Sequence, residues 1–274
     1  MPGSGAIQYR GNSVVFNRAV TELHPPAPYI FEDMLFDVLA DTPYVTVAQA
    51  GTATGAAAIS ASAGDPVAGY GGWLAGATDD VDAELDEIAV GGLGTSAGTP
   101  WLRADQVGSG GVIVCEWATT IPTALTARQY FAGLSDDPVE GTATNGAMSI
   151  QATTVITDVA TDAAGFIFSS LATDTNDWHY GATDGGTQDV ATSLGRTSAV
   201  ADTWIGLRTE VDVNGDCFFF TRAKRGGTLR FEGKSTNGTS PDVLLVPYFS
   251  AAPTTTTAVP WEIDYCFAAA THAF

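Results

Sequence analysis

One stretch of strict alternation constrains the fold of this chain more than any other feature. In TWIGLRTEVDV, one face carries Leu207, Thr209, Val211 and Val213, and the other carries Arg208, Glu210 and Asp212. A period of two is the repeat of a half-buried β-strand. Asn214-Gly215 follows at once, and DCFFFTRAK then returns. This order predicts an antiparallel hairpin with a type I′ turn, in which Asn214 and Gly215 both have positive φ.

Short strand-like segments separated by turn residues continue along most of the chain. They include DTPYVTVAQA, GYGGWLAGA, DAELDEIAV, VIVCEWAT, RQYFAGLS, AMSIQATTVI, GFIFSSLA, WHYGAT, VLLVPYFSA and WEIDYCFAAA. Only 15% of the 274 residues are charged, so Thr, Ser, Asn and Gly must supply much of the polar surface. These residues suit strands and turns better than helices. We therefore predict an all-β fold, an antiparallel two-sheet jelly-roll sandwich.

The first 31 residues have a different character. GAIQYRGNSVVFNRAV contains isolated apolar residues, and the stiff segment HPPAPY follows it. Proline and the residue before it favour extended backbone. We predict an extended N-terminal arm over residues 1–31, followed by one β-sandwich domain over residues 32–274, with a disordered tail as the alternative for the arm. The side chains expected to dock the arm on a partner surface are Ile7, Tyr9, Arg10, Val15, Phe16 and Arg18.

The charge is strongly acidic and unevenly placed. The chain has 31 acidic and 11 basic residues, a formal net charge of −20. Such a surface repels phosphate backbones and anionic lipids, so we expect neither a nucleic-acid nor a membrane partner. No secretory leader or membrane-length apolar run is apparent, so synthesis in a host cytoplasm is expected.

Six of the basic residues fall in one short stretch of the sequence: Arg208, Arg222, Lys224, Arg225, Arg230 and Lys234. In one interpretation they form a cross-strand ladder with Glu210, Asp212 and Asp216. In the other they form a cationic patch that docks an acidic partner. On that second interpretation Arg222, Lys224 and Arg225 assist the arm in docking.

Two strands begin a catalytic pattern and do not complete it. Retaining glycosidases on sandwich folds carry E-x-D-x-x-E, which sets two carboxylates about 5–5.5 Å apart. Glu84-Leu85-Asp86 and Glu262-Ile263-Asp264 start this pattern, but Ala89 and Phe267 stand where the third acid belongs. We therefore interpret both segments as solvent-exposed acidic strand faces, and we expect no enzymatic activity.

Metal and cofactor sites find little support in the sequence. Cys115, Cys217 and Cys266 each lie in an apolar run, which predicts buried free thiols. None of the three histidines, His24, His179 and His272, has a Cys or another His at the short spacing typical of zinc ligands. We expect no metal and no cofactor.

One aromatic cluster has two interpretations. Trp178, His179 and Tyr180 are consecutive, and Asp174, Asn176 and Asp177 precede them. Aromatic rings beside carboxylates and amides are typical of sugar-binding sites. Ordinary cross-strand packing produces the same pattern.

The order of several segments carries a family resemblance over roughly residues 35–270. These segments are AELDEIAV, YFAGLSDD, DAAGFIFSS, WHYGATDGG, TWIGLRTEVDVNGDCFFF, VLLVPYFSA and WEIDYCFAA. In this order the chain resembles the concanavalin A-like jelly-roll virion proteins of tailed phages. The resemblance implies a capsid decoration, cement or head-fibre protein on the capsid exterior. It further implies that the protein is homo-oligomeric or multicopy, with the major capsid protein or other virion proteins as partners.

The chain departs from this family after the hairpin, and other functions stay open. TRAKRGGTLRFEGK stands where the family has a short glycine turn, so the partner surface is not identified. A carbohydrate-binding module or lectin with a glycan ligand is the alternative function. A glycan hydrolase is a third and weaker one, because the third carboxylate is missing from both strands.

Overall fold

The computed structural model arranges this chain as two large antiparallel sheets. The structure describes the backbone of strands at residues 7–10, 13–16, 29–33, 45–51 and 60–62, and then residues 73–78, 84–90, 102–137 and 145–271. In chain order the strands are β1 (Ile7–Arg10), β2 (Ser13–Phe16), β3 (Tyr29–Asp33), β4 (Val45–Gly51), β5 (Ser60–Ser62), β6 (Trp73–Ala77), β7 (Glu84–Val90), β8 (Leu102–Arg103), β9 (Val112–Thr120), β10 (Arg128–Ser135), β11 (Met148–Ala152), β12 (Val155–Asp158), β13 (Ala163–Ser169), β14 (Asp177–Asp184), β15 (Thr187–Gln188), β16 (Thr192–Ser198), β17 (Trp204–Asp212), β18 (Cys217–Arg222), β19 (Arg230–Ser235), β20 (Leu244–Pro253) and β21 (Pro260–Thr271). A 3₁₀ turn spans Ala104–Gln106.

The two sheets have nearly the same number of strands. The first sheet has the order β15-β14-β13-β10-β20-β7-β4, with β16 added to β14 and β8 to β20. The second sheet has the order β19-β18-β17-β9-β21-β6-β5, with β3 added to β21. The described strand pairs within them are antiparallel, as in β10 with β13 and β17 with β9. The predicted fold class, an antiparallel two-sheet sandwich, is confirmed.

The main core lies between the sheets and is rich in aromatic rings. Trp117, Phe219 and Trp261 of the second sheet pack against Phe166 and Phe249 of the first, and all five are fully buried. Burying one such side chain stabilises the fold by roughly 1.5–3 kcal/mol. Phe166 and Phe219 meet edge to face across the two sheets, with ring centroids 5.7 Å apart. The three cysteines are buried free thiols, as predicted.

The hairpin of β17 and β18 forms as predicted, but its turn is of another type. Asp212 and Asp216 close the ladder, so the loop has three residues, and Gly215 has φ +81° while Asn214 is not among the residues with positive φ. The Asp212 carboxylate accepts hydrogen bonds from the backbone N–H groups of Asn214 (2.8 Å) and Asp216 (3.1 Å). This Asx turn favours a type I turn followed by a left-handed glycine over the type I′ turn.

A second hairpin, made of β11 and β12, covers the outer face of the first sheet. Its residues Met148, Ile150 and Ile156 pack on Phe131 and Ile167 of the sheet and form a smaller core. Gly181 lets the hairpin approach closely, because a Cβ at this position would lie 2.5 Å from Ile156 Cδ1. The strands beneath are buried on both faces, so all seven residues of β13 are buried.

The N-terminal strands divide into two groups. Among the described strands, β1 and β2 pair with each other in a two-stranded sheet, whereas β3 pairs with Tyr265–Ala269 of β21. β3 therefore crosses the predicted boundary between residues 31 and 32, and that boundary remains a prediction. The predicted docking side chains of Ile7, Tyr9, Arg10, Val15, Phe16 and Arg18 lie outside the residues whose side chains the structure describes.

Candidate functional site

The outer face of the second sheet carries most of the described basic side chains and is the candidate site. Strand register places its side chains in rows that cross β21, β9, β17, β18 and β19. One row runs Phe267, Glu116, Arg208, Phe220, Phe231. A neighbouring row contains Glu210, Phe218 and Lys234. The alternation of β17 and β18 turns these residues outward while Leu207 and Phe219 face the core.

Glu116 is a buried carboxylate at the centre of this face, with 3% of the residue exposed. It accepts a hydrogen bond from the Tyr265 hydroxyl (2.5 Å) and one from Arg222 Nη2 (3.3 Å), and Arg208 Nη1 lies 3.9 Å away. Two guanidinium groups therefore offset its charge. Burial raises the pKa of Tyr265, and the neighbouring carboxylate raises it further, so this hydroxyl stays a hydrogen-bond donor.

Asp264 anchors the other half of the face. It lies at a bulge of β21, between Ile263 and Tyr265. Its carboxylate accepts hydrogen bonds from Trp204 Nε1 and from Arg225 Nη2, both at 2.9 Å. The Arg225 guanidinium also lies over the Tyr265 ring, 5.6 Å from its centroid. Because Arg225 belongs to the segment between β18 and β19, this basic segment folds back over the sheet.

The prediction that the acidic strands are solvent-exposed is wrong. Asp86 is 2% exposed and accepts a hydrogen bond from Trp261 Nε1 at 2.7 Å, while Glu87 is fully buried and accepts one from the Tyr248 hydroxyl at 2.6 Å. Strand β7 lies inside its sheet between β4 and β20, and the carboxylates of Asp86 and Glu87 each accept a hydrogen bond from a side chain of another strand. On the second of the two strands, Glu262 is half-buried, and burial raises its pKa.

The structure assigns most of the basic residues to internal pairs. Arg208 pairs with Glu210 (2.5 Å), Lys234 with Asp216 (2.5 Å) and Arg230 with Glu232 (3.4 Å). The ladder interpretation fits in part: Glu210 and Asp216 have basic partners, but Arg208–Glu210 and Arg230–Glu232 are pairs along one strand, and Asp212 binds the backbone of the turn. Of the three cations predicted to dock a partner, Arg222 and Arg225 contact Glu116 and Asp264, and Lys224 is exposed.

Of the three predicted glycan-binding residues, Trp178 and His179 are buried and Tyr180 is half-buried. Trp178 is 1% exposed and meets Phe168 edge to face at 5.7 Å. Tyr180 stacks on Phe219 with centroids 4.7 Å apart. His179 points to the opposite face of the sheet and is fully buried, and neither imidazole nitrogen has a hydrogen-bond partner among the described residues. The packing interpretation accounts for this cluster, because Trp178 and His179 are buried and the Tyr180 ring stacks on Phe219.

An aromatic and cationic strip lies at the edge of the candidate site. We define the edge strip as Phe218, Phe220, Phe231 and Lys234 on β18 and β19. Phe220 and Phe231 meet edge to face at 5.4 Å, Lys234 Nζ lies 5.2 Å from the centroid of Phe218, and Phe231 is 55% exposed. Sequence reasoning did not identify the strip. Its signal was the triplet FFF after an alternating strand, since alternation puts Phe218 and Phe220 on one face and Phe219 on the other, with the predicted buried thiol of Cys217.

The described residues contain neither a metal-binding cluster nor a membrane-spanning helix. No group of three or more His, Cys, Asp or Glu side chains could hold a metal ion within that part of the chain. Within the same residues, no helix has the length and apolarity to cross a membrane.

Comparisons with known proteins identify the fold and no family. No family model matches the sequence, and no curated protein matches it. The structure is similar to that of a protein of unknown function from Shewanella oneidensis, with a TM-score of 0.56, 12% identity, and 90% of this chain and 87% of that chain covered.

Two lectins also share the architecture. Peanut lectin gives a TM-score of 0.52 at 6% identity, covering 90% of this chain and 98% of its own. Lectin UEA-II, solved in complex with galactose, gives a TM-score of 0.50 at 7% identity, covering 89% of this chain and 98% of its own. At such identities the likeness concerns the fold alone. The chain has a concanavalin A-like, lectin-type jelly-roll fold.

Proposed function

We propose that this chain is a structural protein of a tailed-phage virion, attached to the capsid exterior as a decoration, cement or head-fibre protein. The observation that carries the proposal is the division of the N-terminal strands. β3 is bonded to β21 of the body, whereas β1 and β2 form a sheet of their own. A hairpin that precedes an anchored strand can bind a second surface while the sandwich faces outward. The resemblance in segment order supplies the capsid as that surface.

The attachment in this proposal is non-covalent and involves no reaction. A contact of about 800 Å² per partner is typical of stable complexes, and apolar burial contributes roughly 25 cal/mol per Å². That contribution must exceed the cost of ordering the arm. Many copies on a symmetric shell add avidity without any new type of contact. The buried carboxylates Glu87, Glu116 and Asp264, each held by hydrogen bonds within the fold, fit a binding role better than a catalytic one.

Two truncations separate attachment from folding. Removing residues 1–28 deletes β1 and β2 and retains β3, so the body should fold and lose its attachment to phage particles in co-sedimentation. Removing residues 1–33 also deletes the partner of Tyr265–Ala269 and should lower the melting temperature. Lys224→Glu tests the predicted contribution of the basic segment and should weaken attachment without affecting folding, because Lys224 is exposed whereas Arg222 and Arg225 hold internal carboxylates. If the shorter truncation still decorates particles at full occupancy, the arm is not the attachment element and the proposal fails.

Glycan binding is the second candidate, and one cluster favours it. Trp204 is half-buried on the outer face of the second sheet, 6.4 Å from Tyr265, and Asp264 and Arg225 lie beside it. Aromatic rings with directed polar groups are what sugar sites use. The lectin-type fold, shared with a lectin that binds galactose, adds to this candidate.

A glycan array tests the second candidate. Binding that is lost in Trp204→Ala and kept in Trp178→Phe would support it, since Trp178 lies in the core. Absence of binding, or equal binding by both variants, would remove it.

A further inference from the structure

We propose that protonation of His179 opens the β11–β12 hairpin, so that this hairpin is a pH-sensitive cover on the outer face of the first sheet. The change is conformational and takes place within one chain, so it goes beyond the proposed attachment and does not require it. Two features of the structure support it: the position of the imidazole beneath the hairpin and the way in which the hairpin is attached.

The imidazole of His179 lies under the hairpin. On the same face of β14, a Cβ at Gly181 would lie 2.5 Å from Ile156 Cδ1 of the hairpin. The β13 residue opposite His179 is Ile167, which packs with Ile150 and Ile156 in the smaller core. His179 is fully buried, and among the described residues neither ring nitrogen has a hydrogen-bond partner. A charged imidazole here would lose its hydration without gaining acceptors for its two N–H groups.

The carboxylates nearest to His179 oppose the effect of burial without reversing it. Burial lowers the pKa of His179, and Asp174 and Asp177 raise it by a smaller amount. Asp174 is exposed to solvent, and the Asp177 carboxylate accepts a hydrogen bond from the Ser193 hydroxyl of β16 at 2.7 Å. The closed hairpin therefore favours the neutral imidazole.

The other elements packed against this site add two charged groups. β13 has no titratable side chain, and β16 has Arg196, which stays charged between pH 5 and pH 7. The hairpin has one titratable residue, Asp158, whose carboxylate accepts hydrogen bonds from Thr183 and Gln188. Protonation of Asp158 is therefore the competing explanation for an effect of acid on the hairpin.

The attachment of the hairpin allows it to leave the sheet without breaking either large ladder. β11 and β12 pair with each other in a two-stranded sheet, and two single bridges, from Thr153 and Val155, join them to neighbouring segments. The Ser169 hydroxyl also donates to the Ile150 carbonyl at 2.6 Å. Units that are attached locally in this way open at a lower free energy than the whole domain. The hairpin can therefore open while β10, β13 and β20 stay paired.

The direction of the effect follows from the pKa of the imidazole in the two forms. In the open form the imidazole of His179 is hydrated and has a pKa near its ordinary value of 6.5, whereas in the closed form its pKa is lower. Acid therefore favours the open form below about pH 6.5 and has little effect above it. For one such group, the ratio of open to closed hairpin can rise at most about 25-fold between pH 7 and pH 5.

Hydrogen exchange of the intact chain at pH 7 and pH 5 tests the cover. Amide protection factors, which correct for the intrinsic effect of pH on exchange, should be lower over residues 148–158 than in β10 and β20 at both pH values. Those of residues 148–158 should also fall by about tenfold at pH 5. In His179→Leu this fall should disappear, and His179→Gln replaces that variant if it does not fold. Asp158→Asn is the matched control and should keep the fall of the wild-type chain.

Four outcomes would overturn the proposal. One is a wild-type hairpin whose protection does not change between the two pH values. A second is a hairpin as well protected as β10 and β20, because it would then open only when the whole domain unfolds. A third is a fall of the same size in the folded His179 variants. The fourth is loss of the fall in Asp158→Asn, which would assign the response to that carboxyl group.

Discussion

The outer faces of the two sheets are stabilised in different ways. The first sheet covers its outer face with the β11–β12 hairpin, whose Ile150 and Ile156 form a second apolar core with Phe131 and Ile167. The second sheet has no such hairpin among its described residues. There, flat guanidinium groups and aromatic rings from neighbouring strands lie over Glu116 and Asp264.

This difference shows two sources of stability within one sandwich. The outer face of the first sheet, here the covered face, is stabilised by the area of apolar surface removed from water. Each methylene removed there leaves a cavity. The outer face of the second sheet, here the open face, is stabilised by hydrogen bonds to buried carboxylates. Burying these carboxylates costs little free energy while they are hydrogen-bonded and much when one partner is lost. Substitutions of similar size should therefore have very different effects on the two faces.

The largest effect is expected on the covered face. Ile150→Ala removes a fully buried side chain between the hairpin and the first sheet. Large-to-small substitutions of this kind cost about 2–5 kcal/mol. We expect a loss of about 3 kcal/mol in the free energy of unfolding, measured by urea denaturation. A loss below about 1 kcal/mol would mean that the hairpin does not pack on the sheet in solution.

A smaller loss is expected from one hydroxyl on the open face. Tyr265→Phe leaves the ring in place and removes the donor to Glu116, a bond of 2.5 Å. Hydrogen bonds to charged groups contribute about 1.5–3 kcal/mol, and we expect a loss near the lower figure because Arg222 still contacts the carboxylate. A double-mutant cycle with Glu116→Gln isolates the interaction. Purely additive effects would show that this bond contributes nothing.

The sequence predicted well what depends on local pattern. The alternation in β17 placed Leu207 and Val211 inside and Arg208 outside, and the hairpin to β18 formed where Asn214-Gly215 predicted it. The turn type was wrong because the sequence does not reveal that the Asp212 side chain binds the backbone of the turn.

Long-range contacts explain the other failure. Trp261 donates to Asp86 across 175 residues, Tyr248 to Glu87 across 161, and Tyr265 to Glu116 across 149. An acidic strand with such partners has the same sequence as a solvent-exposed one. The one local sign of a buried carboxylate in the sequence was a single acid, Glu116, within the apolar run VIVCEWAT. A lone carboxylate in a buried strand needs a donor or a cation, and the sequence does not say which one.

A pH dependence is expected from the covered face. Burial lowers the pKa of His179, although Asp174 and Asp177 oppose this shift. In the unfolded chain the imidazole binds a proton near its ordinary pKa of 6.5, whereas the folded chain binds it only at lower pH. The contribution is therefore fully present above pH 6.5 and is lost as the pH falls further. Between pH 7 and pH 5, wild type should lose more stability than His179→Leu, as measured by urea denaturation at each pH. Equal losses would show that the imidazole is already protonated, or solvated, in the folded chain.

The smallest effect on stability is expected at the edge strip. Phe231→Ala removes a larger side chain than Ile150→Ala, but Phe231 is 55% exposed and Ile150 is fully buried. Its edge-to-face contact with Phe220 corresponds to a cross-strand pair, which contributes about 0.2–1 kcal/mol. We expect a loss below about 1 kcal/mol by urea denaturation. A loss as large as that of Ile150→Ala would mean that the ring is buried in solution, either by residues of this chain or by a second copy. Repeating the measurement at lower protein concentration separates these cases, because only a contact between copies weakens on dilution.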